Sequence, residues 1–175
     1  FRDQLTALIG RFDRVPRDFV RGIEPGILNI GGVGVGDAIC FEVAYDDVFT
    51  SVIAGGAEVI TVQTNNATYR GTGQPVQQWD IERLRALNAG RAVVVASTTG
   101  ISGFIAPDGT VDPQLGEGET GYLVSEVPLS TSQTPASLLG VVPEIAAGLA
   151  LLIGVGLGAY VRRRRIALKR SSAGS

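Results

Sequence analysis

The chain of 175 residues contains no histidine, no methionine, one cysteine, one tryptophan and one lysine. Each absence removes a class of chemistry. Without histidine there is no serine or cysteine nucleophile served by an imidazole base and no Cys/His metal cluster, so neither a metal nor a cofactor is expected. One cysteine cannot close an internal disulfide. A basic surface is missing too: over residues 1–161 nine basic residues stand against seventeen acidic ones, a net charge of −8 beneath an overall formal charge of −2. Such a body lacks the electrostatic footprint of a nucleic-acid binder, and nucleic acid is not expected among its partners.

The charge is redressed at the C-terminus. No acid follows Glu144, while Arg162, Arg163, Arg164, Arg165, Lys169 and Arg170 add six positive charges. They follow "LLGVVPEIAAGLALLIGVGLGAYV", Leu138–Val161, whose residues 145–161 carry no charge. At about 1.5 Å per residue this run crosses a hydrocarbon core of roughly 30 Å and predicts a transmembrane helix over 138–161. A hydrophobic content of 45% and a mean hydropathy of +0.24 agree with a membrane segment. Pro143 and Glu144 suit a first helical turn, where a missing N–H costs little and negative charge is favourable. Gly154, Gly156 and Gly158 thin the helix, either for close packing of another helix or as glycine tolerated in lipid. By the positive-inside rule the basic tail, 162–175, is cytoplasmic and the preceding body lies on the outer side. "SEVPLSTSQTPAS", 125–137, reads as a linker between them.

Phe1–Phe19 alternates charged and apolar residues and reads as a short helix or loop with no assigned chemistry. "ILNIGGVGVGDAIC", Ile27–Cys40, reads as two strands around a Gly31-Gly32 turn, the second ending at the cysteine. "DDVFTSVIAGGAE" has Val48, Val52 and Ile53 at helical spacing, Asp46 and Asp47 at its start and Gly55-Gly56 at its end. A strand over Val59–Asn65 and a polar loop, "NATYRGTGQP", follow. "VQQWDIERLRALNAG", Val76–Gly90, predicts an amphipathic helix with Ile81, Leu84 and Leu87 as its apolar stripe, Glu82 and Arg85 facing out, and Gly90 as C-cap. "AVVVAST" reads as a buried strand and "GISGFIAPDGTVDP" as two strands around a "PDG" turn. Continuous apolar strands alternating with helices imply an α/β layered fold with a buried sheet.

A strand that ends at Cys40 and runs into a helix puts the thiol at the C-terminal edge of a sheet, where α/β folds place their sites. The start of the following helix favours a thiolate. A lone cysteine is also a common small buried hydrophobe, and composition and geometry leave both readings open. Glu42, at i+2 of an extended segment, is expected on the same face as Cys40. A carboxylate there raises a thiol pKa unless a cation compensates, so Glu42 reads either as part of such a cluster or as a capping or salt-bridging acid. Asp46 and Asp47 read as N-terminal helix acids. Tyr69 and its loop could border a lipid entrance, whereas Trp79 reads as core.

"GDAICFEVAYDD", the later "TNNATY" and "ERLRALNAGRAVVVASTTGISGFIAPDG" together resemble the C-terminal half of a nitrilase-superfamily domain. With a transmembrane helix directly after the domain, the chain resembles the apolipoprotein N-acyltransferase family from Phe1 to the basic tail. The resemblance implies that residues 1–124 are part of an α-β-β-α sandwich whose cysteine belongs to a Glu-Lys-Cys triad. Cys40 maps onto the nucleophile, and Phe41, where the family often has tyrosine, onto the residue whose backbone N–H helps form the oxyanion site. Glu42 matches a family acid beside the cysteine.

It further implies a bacterial plasma-membrane enzyme whose partners are a phospholipid acyl donor and a diacylglyceryl-lipoprotein acceptor, joined through a cysteine thioester. The family lysine and glutamate fall upstream of Phe1. Lys169 lies beyond the membrane helix, and Arg2, Arg11, Arg14, Arg17 and Arg21 are always charged and cannot shuttle a proton. The chain is therefore expected to be the C-terminal part of a longer enzyme, poorly stable and inactive alone. Arginine in place of lysine, with abundant Ala, Gly and Val, fits a GC-rich genome such as an actinobacterium's, and through the resemblance implies association with a polyprenyl-phosphate mannose synthase. Two other readings stay open: a membrane-anchored nitrilase-type amidase, and a non-catalytic membrane-anchored binding module.

Overall fold

The computed structural model describes Val20 and residues 22–172, with side chains as far as Arg162. The expectations for Phe1–Phe19 and for the basic side chains past Arg162 lie outside the described residues. The elements are β1 (Ile27–Ile30), β2 (Val33–Ile39), a 3-10 turn (Cys40–Ala44), α1 (Asp46–Ala54), β3 (Val59–Thr64), a second 3-10 turn (Ala67–Tyr69) and α2 (Gln74–Ala89). β4 (Val93–Ser97), β5 (Ser102–Ile105), β6 (Val111–Leu115), α3 (Pro135–Leu139) and α4 (Val142–Ser172) complete them. The six strands form one sheet in chain order. β2, β3 and β4 run parallel, with β1 antiparallel at one edge and β5 and β6 antiparallel at the other.

The β1–β2 hairpin turns on Gly31 and Gly32, with φ of 62° and 90°. Two consecutive positive φ values are what a tight hairpin of matching twist requires, and glycine alone adopts them without strain. α1 and α2 are the crossovers β2-α1-β3 and β3-α2-β4, and because the strands advance in one direction both helices fall on the same face. Strand alternation sorts the side chains accordingly. Ala38, Ile60, Val62, Val93, Val95 and Ile105 face the helices and pack with Phe49, Val52, Trp79, Ala86 and Ala89. Gly36 lets α1 approach: a Cβ there would lie 3.1 Å from Val52 and 2.9 Å from the Ala57 side chain. Truncating Ile60, fully buried at the centre of this layer, falls in the class that costs about 2–5 kcal/mol.

The other face of the sheet is more sparsely covered. Val35, Val59 and Ala92 form a small cluster there, joined by Val33, Val94 and Val127 of the chain leading to the C-terminal helices.

α2 departs from its expected face. Its buried residues are Pro75, Gln78, Trp79, Glu82, Ala86 and Ala89, whereas Leu84 and Leu87 are 54% and 48% exposed. Glu82 is turned inward and is 1% exposed, not solvent-facing. Arg85 also does not face out: its side chain is 12% exposed. The stripe is still helical in spacing, but two of its members are polar and satisfy one another, Gln78 Nε2 donating to Glu82 Oε1 at 2.8 Å. Gly90, φ 61°, caps the helix as expected, and Trp79 is core at 6% exposed.

The segment 125–137 is bound to the body along much of its length. Arg91, 2% exposed, donates from Nε to Ala57 O at 2.9 Å and from Nη1 to Ala89 O at 3.2 Å, and its Nη1 also reaches Ser130 Oγ and Ser132 O. Ser130 N donates to Glu58 O at 3.1 Å. Thr134 Oγ1 bonds to Asn88 O and also caps α3 by accepting from Ser137 N at 3.0 Å. The apolar run that starts at Leu138 is divided in the structure: Leu138 and Leu139 end α3, Gly140 breaks the chain direction with φ 49°, and α4 begins at Val142. Within α4 the stretch Val142–Arg162, 21 residues with a mean hydropathy of 1.9, is long and apolar enough to cross a membrane, and none of its apolar window is buried among the described residues.

Candidate active site

Cys40 is the first residue after β2, whose last residue, Ile39, pairs with Gln63 of β3. It therefore sits at the C-terminal edge of the parallel strands, as its place in the sequence predicts. The backbone there turns sharply: Cys40 has φ 55° and is the one non-glycine residue with positive φ among the described residues. A side chain held in that left-handed region costs about 1–3 kcal/mol and persists only where its surroundings enforce it. The same strand-to-helix elbow, with the nucleophile at its strained apex, presents the reactive atom in unrelated α/β enzymes. Here Cys40 is partly exposed.

What enforces the turn is visible in its hydrogen bonds. Glu42 Oε2 accepts from Ile39 N at 2.8 Å at the entry. Tyr45 N donates to Glu42 O at 2.9 Å at the exit. Arg85 Nε, reaching from α2, donates to Val43 O at 2.6 Å. Val43 itself is fully buried.

Glu42 is thus not placed beside the thiol by extended geometry. The chain leaves the extended conformation at Cys40, so an i+2 relation no longer means a shared face. The carboxylate turns back to the strand end and closes the turn. It also lines a cleft of about 520 Å³ with Asp37, Ile39 and Ser51, a cleft that Cys40 does not line. The Phe41 ring is 61% exposed and meets Tyr45 edge-on at 6.1 Å. The Phe41 backbone N–H lies in the first turn of the 3-10 helix, where donors have no partner within the helix. Asp46 and Asp47 occupy the first turn of α1, as expected of helix acids.

The neighbouring strand ends bring polar groups that the sequence reading used only as part of a resemblance. After β3, buried Thr64 Oγ1 donates to Asn66 Oδ1 at 2.6 Å, and Thr98 Oγ1 after β4 donates to Asn65 Oδ1 at 2.9 Å. Gly100 N donates to Ser97 Oγ at 2.7 Å, and the buried Thr99 Oγ1 has no partner among the described residues. The rule that α/β sites lie at the carboxyl ends of parallel strands would have pointed to both segments. Lys169 lies in α4 past the 142–162 stretch, outside this edge.

Glu82 is the group whose protonation the fold alters most plainly. Burial raises its carboxyl from the ordinary 4.5 to about 7, against the smaller opposing effect of the Gln78 hydrogen bond.

Comparison with known proteins agrees with this fold. The carbon-nitrogen hydrolase family matches residues 17–135. Among curated relatives, the apolipoprotein N-acyltransferase of Mycolicibacterium smegmatis is 37% identical over 138 residues, covering 77% of this chain and 23% of that protein. That of Shewanella oneidensis is 28% identical over 168 residues, covering 94% and 31%, and that of Pseudomonas aeruginosa PAO1 is 32% identical over 162 residues, covering 92% and 32%. The chain thus spans about a quarter to a third of the length of these relatives. Similar solved structures include an amidase from Nesterenkonia, with a TM-score of 0.49 and 26% identity, covering 59% of this chain and 41% of that one. Nit3 of Saccharomyces cerevisiae, a member of the nitrilase superfamily, has a TM-score of 0.49 and 20% identity, covering 58% and 40%. The sheet with helices on one face is an α/β nitrilase-like fold, and the chain belongs to the carbon-nitrogen hydrolase family.

Proposed function

We propose that this chain is the C-terminal part of a membrane N-acyltransferase acting on lipoproteins. The observation that carries the reading is a cysteine at the strained apex of a strand-to-helix turn, in a domain followed directly by a helix of membrane-spanning length. The curated relatives bearing the name apolipoprotein N-acyltransferase support it. The units are residues 1–124 as part of the hydrolase-like domain, 125–137 as connection, 138–161 as the membrane segment and 162–175 as a basic cytoplasmic tail, with the domain on the outer side of the bacterial plasma membrane.

In the proposed reaction the Cys40 thiolate attacks the ester carbonyl of a phospholipid acyl chain. The carbonyl C–O bond breaks, the lysophospholipid oxygen takes a proton, and the acyl group remains as a thioester. The free α-amine of a diacylglyceryl-cysteine then attacks the thioester carbonyl. The C–S bond breaks, an amide forms, and the proton lost by the amine restores the thiol. The Phe41 N–H stabilises the oxyanion in both halves, and Glu42 holds the turn through Ile39 N. The glutamate base and the lysine that the family resemblance implies are not assigned to residues of this chain. Association with a polyprenyl-phosphate mannose synthase is proposed from composition and resemblance alone.

The test uses the full-length protein in vesicles with a phospholipid labelled in one acyl chain and a synthetic diacylglyceryl-cysteine peptide. The expected product is the peptide heavier by one acyl group in amide linkage. Release of free fatty acid with no acylated peptide, or hydrolysis of simple amides instead, would overturn the assignment.

A further inference from the structure

We infer that Arg85 is a positioning residue for Cys40: by clamping the far end of the Cys40–Ala44 turn to α2, it holds the cysteine backbone in its left-handed conformation. The inference rests on the proposed function for its reaction, but its geometry stands independently. Cys40 at φ 55° relaxes toward ordinary backbone angles unless both ends of its turn are fixed. The entry is fixed locally, by Glu42 Oε2 on Ile39 N. The exit has one local bond, Tyr45 N on Glu42 O at 2.9 Å, and one from a distant part of the chain, Arg85 Nε on Val43 O at 2.6 Å.

The arginine is itself held in three ways. Nη1 pairs with Asp46 in the first turn of α1, the guanidinium carbon lies 5.2 Å from the centroid of the Phe49 ring, and the side chain is 12% exposed. A planar guanidinium delivers Nε to one acceptor and Nη1 to another at fixed divergence, which an ammonium cannot do. Arg85 therefore ties together the nucleophile turn, the helix that follows it and α2. Asp46 balances its charge, so the clamp acts through position rather than through the field at the thiol. Displacement of a reacting atom by about 1 Å costs up to about 10²-fold in rate.

The experiment compares wild type, Arg85→Leu, Arg85→Lys and Asp46→Asn in the full-length protein. Two rates are read: thioester formation from a labelled phospholipid, and alkylation of Cys40 by iodoacetamide across pH, located by peptide mass spectrometry. For Arg85→Leu the expected result is a fall of about 30-fold in thioester formation, with the donor concentration at half-saturation unchanged within twofold. The midpoint of the alkylation profile is expected to stay in place while its plateau changes. Arg85→Lys is expected to lose nearly as much, and Asp46→Asn, which keeps the bond to Val43, less than threefold. Should Arg85→Leu fail to fold, Arg85→Lys carries the same expectation.

Wild-type thioester formation and an unchanged alkylation plateau in a folded Arg85 variant would refute the clamp. So would an equal loss in Asp46→Asn, or a shifted alkylation midpoint, which would indicate a charge effect. If wild type forms no thioester from phospholipid, the acyl-transfer reading fails, while the alkylation arm still decides the clamp.

Discussion

In the full-length protein, Cys40→Ala is expected to abolish acyl-enzyme formation, and Cys40→Ser to leave at most a trace. Removal of the proposed covalent nucleophile costs on the order of 10⁴-fold or more, because the proposed two-step route through a thioester is lost. Serine keeps the position but lacks a low-pKa nucleophile and, with no histidine in this chain, gains no imidazole base from it. Cys40→Gly separates chemistry from folding. Glycine accepts φ 55° without the penalty a side chain incurs, so this variant is expected to be equally inactive yet more stable than Cys40→Ala by about 1 kcal/mol. Hydrogen-exchange protection of β2 and β3 amides measures the second effect, and a hydroxylamine-labile acyl label on the protein measures the first. An alanine variant that still accumulated the label would remove Cys40 from the mechanism.

The second large effect is on stability and depends on pH. Glu82 has its carboxyl raised from 4.5 to about 7 by burial between α2 and the sheet. Between those values the folded protein holds a proton that the unfolded chain has lost, so stability falls as pH rises through the window and levels off above about 7. At about 1.4 kcal/mol per pH unit the full fall is about 3 kcal/mol. Glu82→Gln preserves the shape and the contact with Gln78 while removing the titration. The variant is expected to match wild type below about pH 4.5 and to exceed it by up to about 3 kcal/mol above pH 7. The difference in protection of β3 amides between the two proteins, followed from pH 5 to pH 8, isolates Glu82 from the other carboxylates. A difference that stays flat across this range would mean that Glu82 is ionised throughout.

Much of the fold was legible because local signals and tertiary packing agreed. The Gly31-Gly32 turn, the strand ending at Cys40, the helix opening on Asp46 and Asp47, the cap at Gly90 and the "PDG" hairpin all have short-range causes. α2 was legible as a helix and illegible as to its face. Its buried stripe relies on small alanines and on a mutually bonded Gln78 and Glu82, while Leu84 and Leu87 lie on the outer side, so a count of apolar residues points the wrong way. Of the two readings of Glu42, the capping acid is the one its bond to Ile39 N supports; the expected shared face with Cys40 fails because the backbone reverses at Cys40, which no residue type in the sequence demands. The segment 125–137 reads as a linker because its anchors, the Arg91 side chain and the carbonyls of Glu58 and Asn88, all lie outside it in sequence. Arg85 was read as solvent-facing, since its acceptor, Val43 O, is a backbone group 42 residues away.

The account stands most directly on one measurement: mass spectrometry of the Cys40 peptide from full-length wild-type protein quenched at low pH after incubation with phospholipid vesicles. The account predicts a peptide heavier by one acyl chain, the addition located on Cys40 and discharged by hydroxylamine or by a diacylglyceryl-cysteine peptide. An unmodified Cys40 peptide, recovered while the same sample transfers acyl chains to the acceptor, would contradict it.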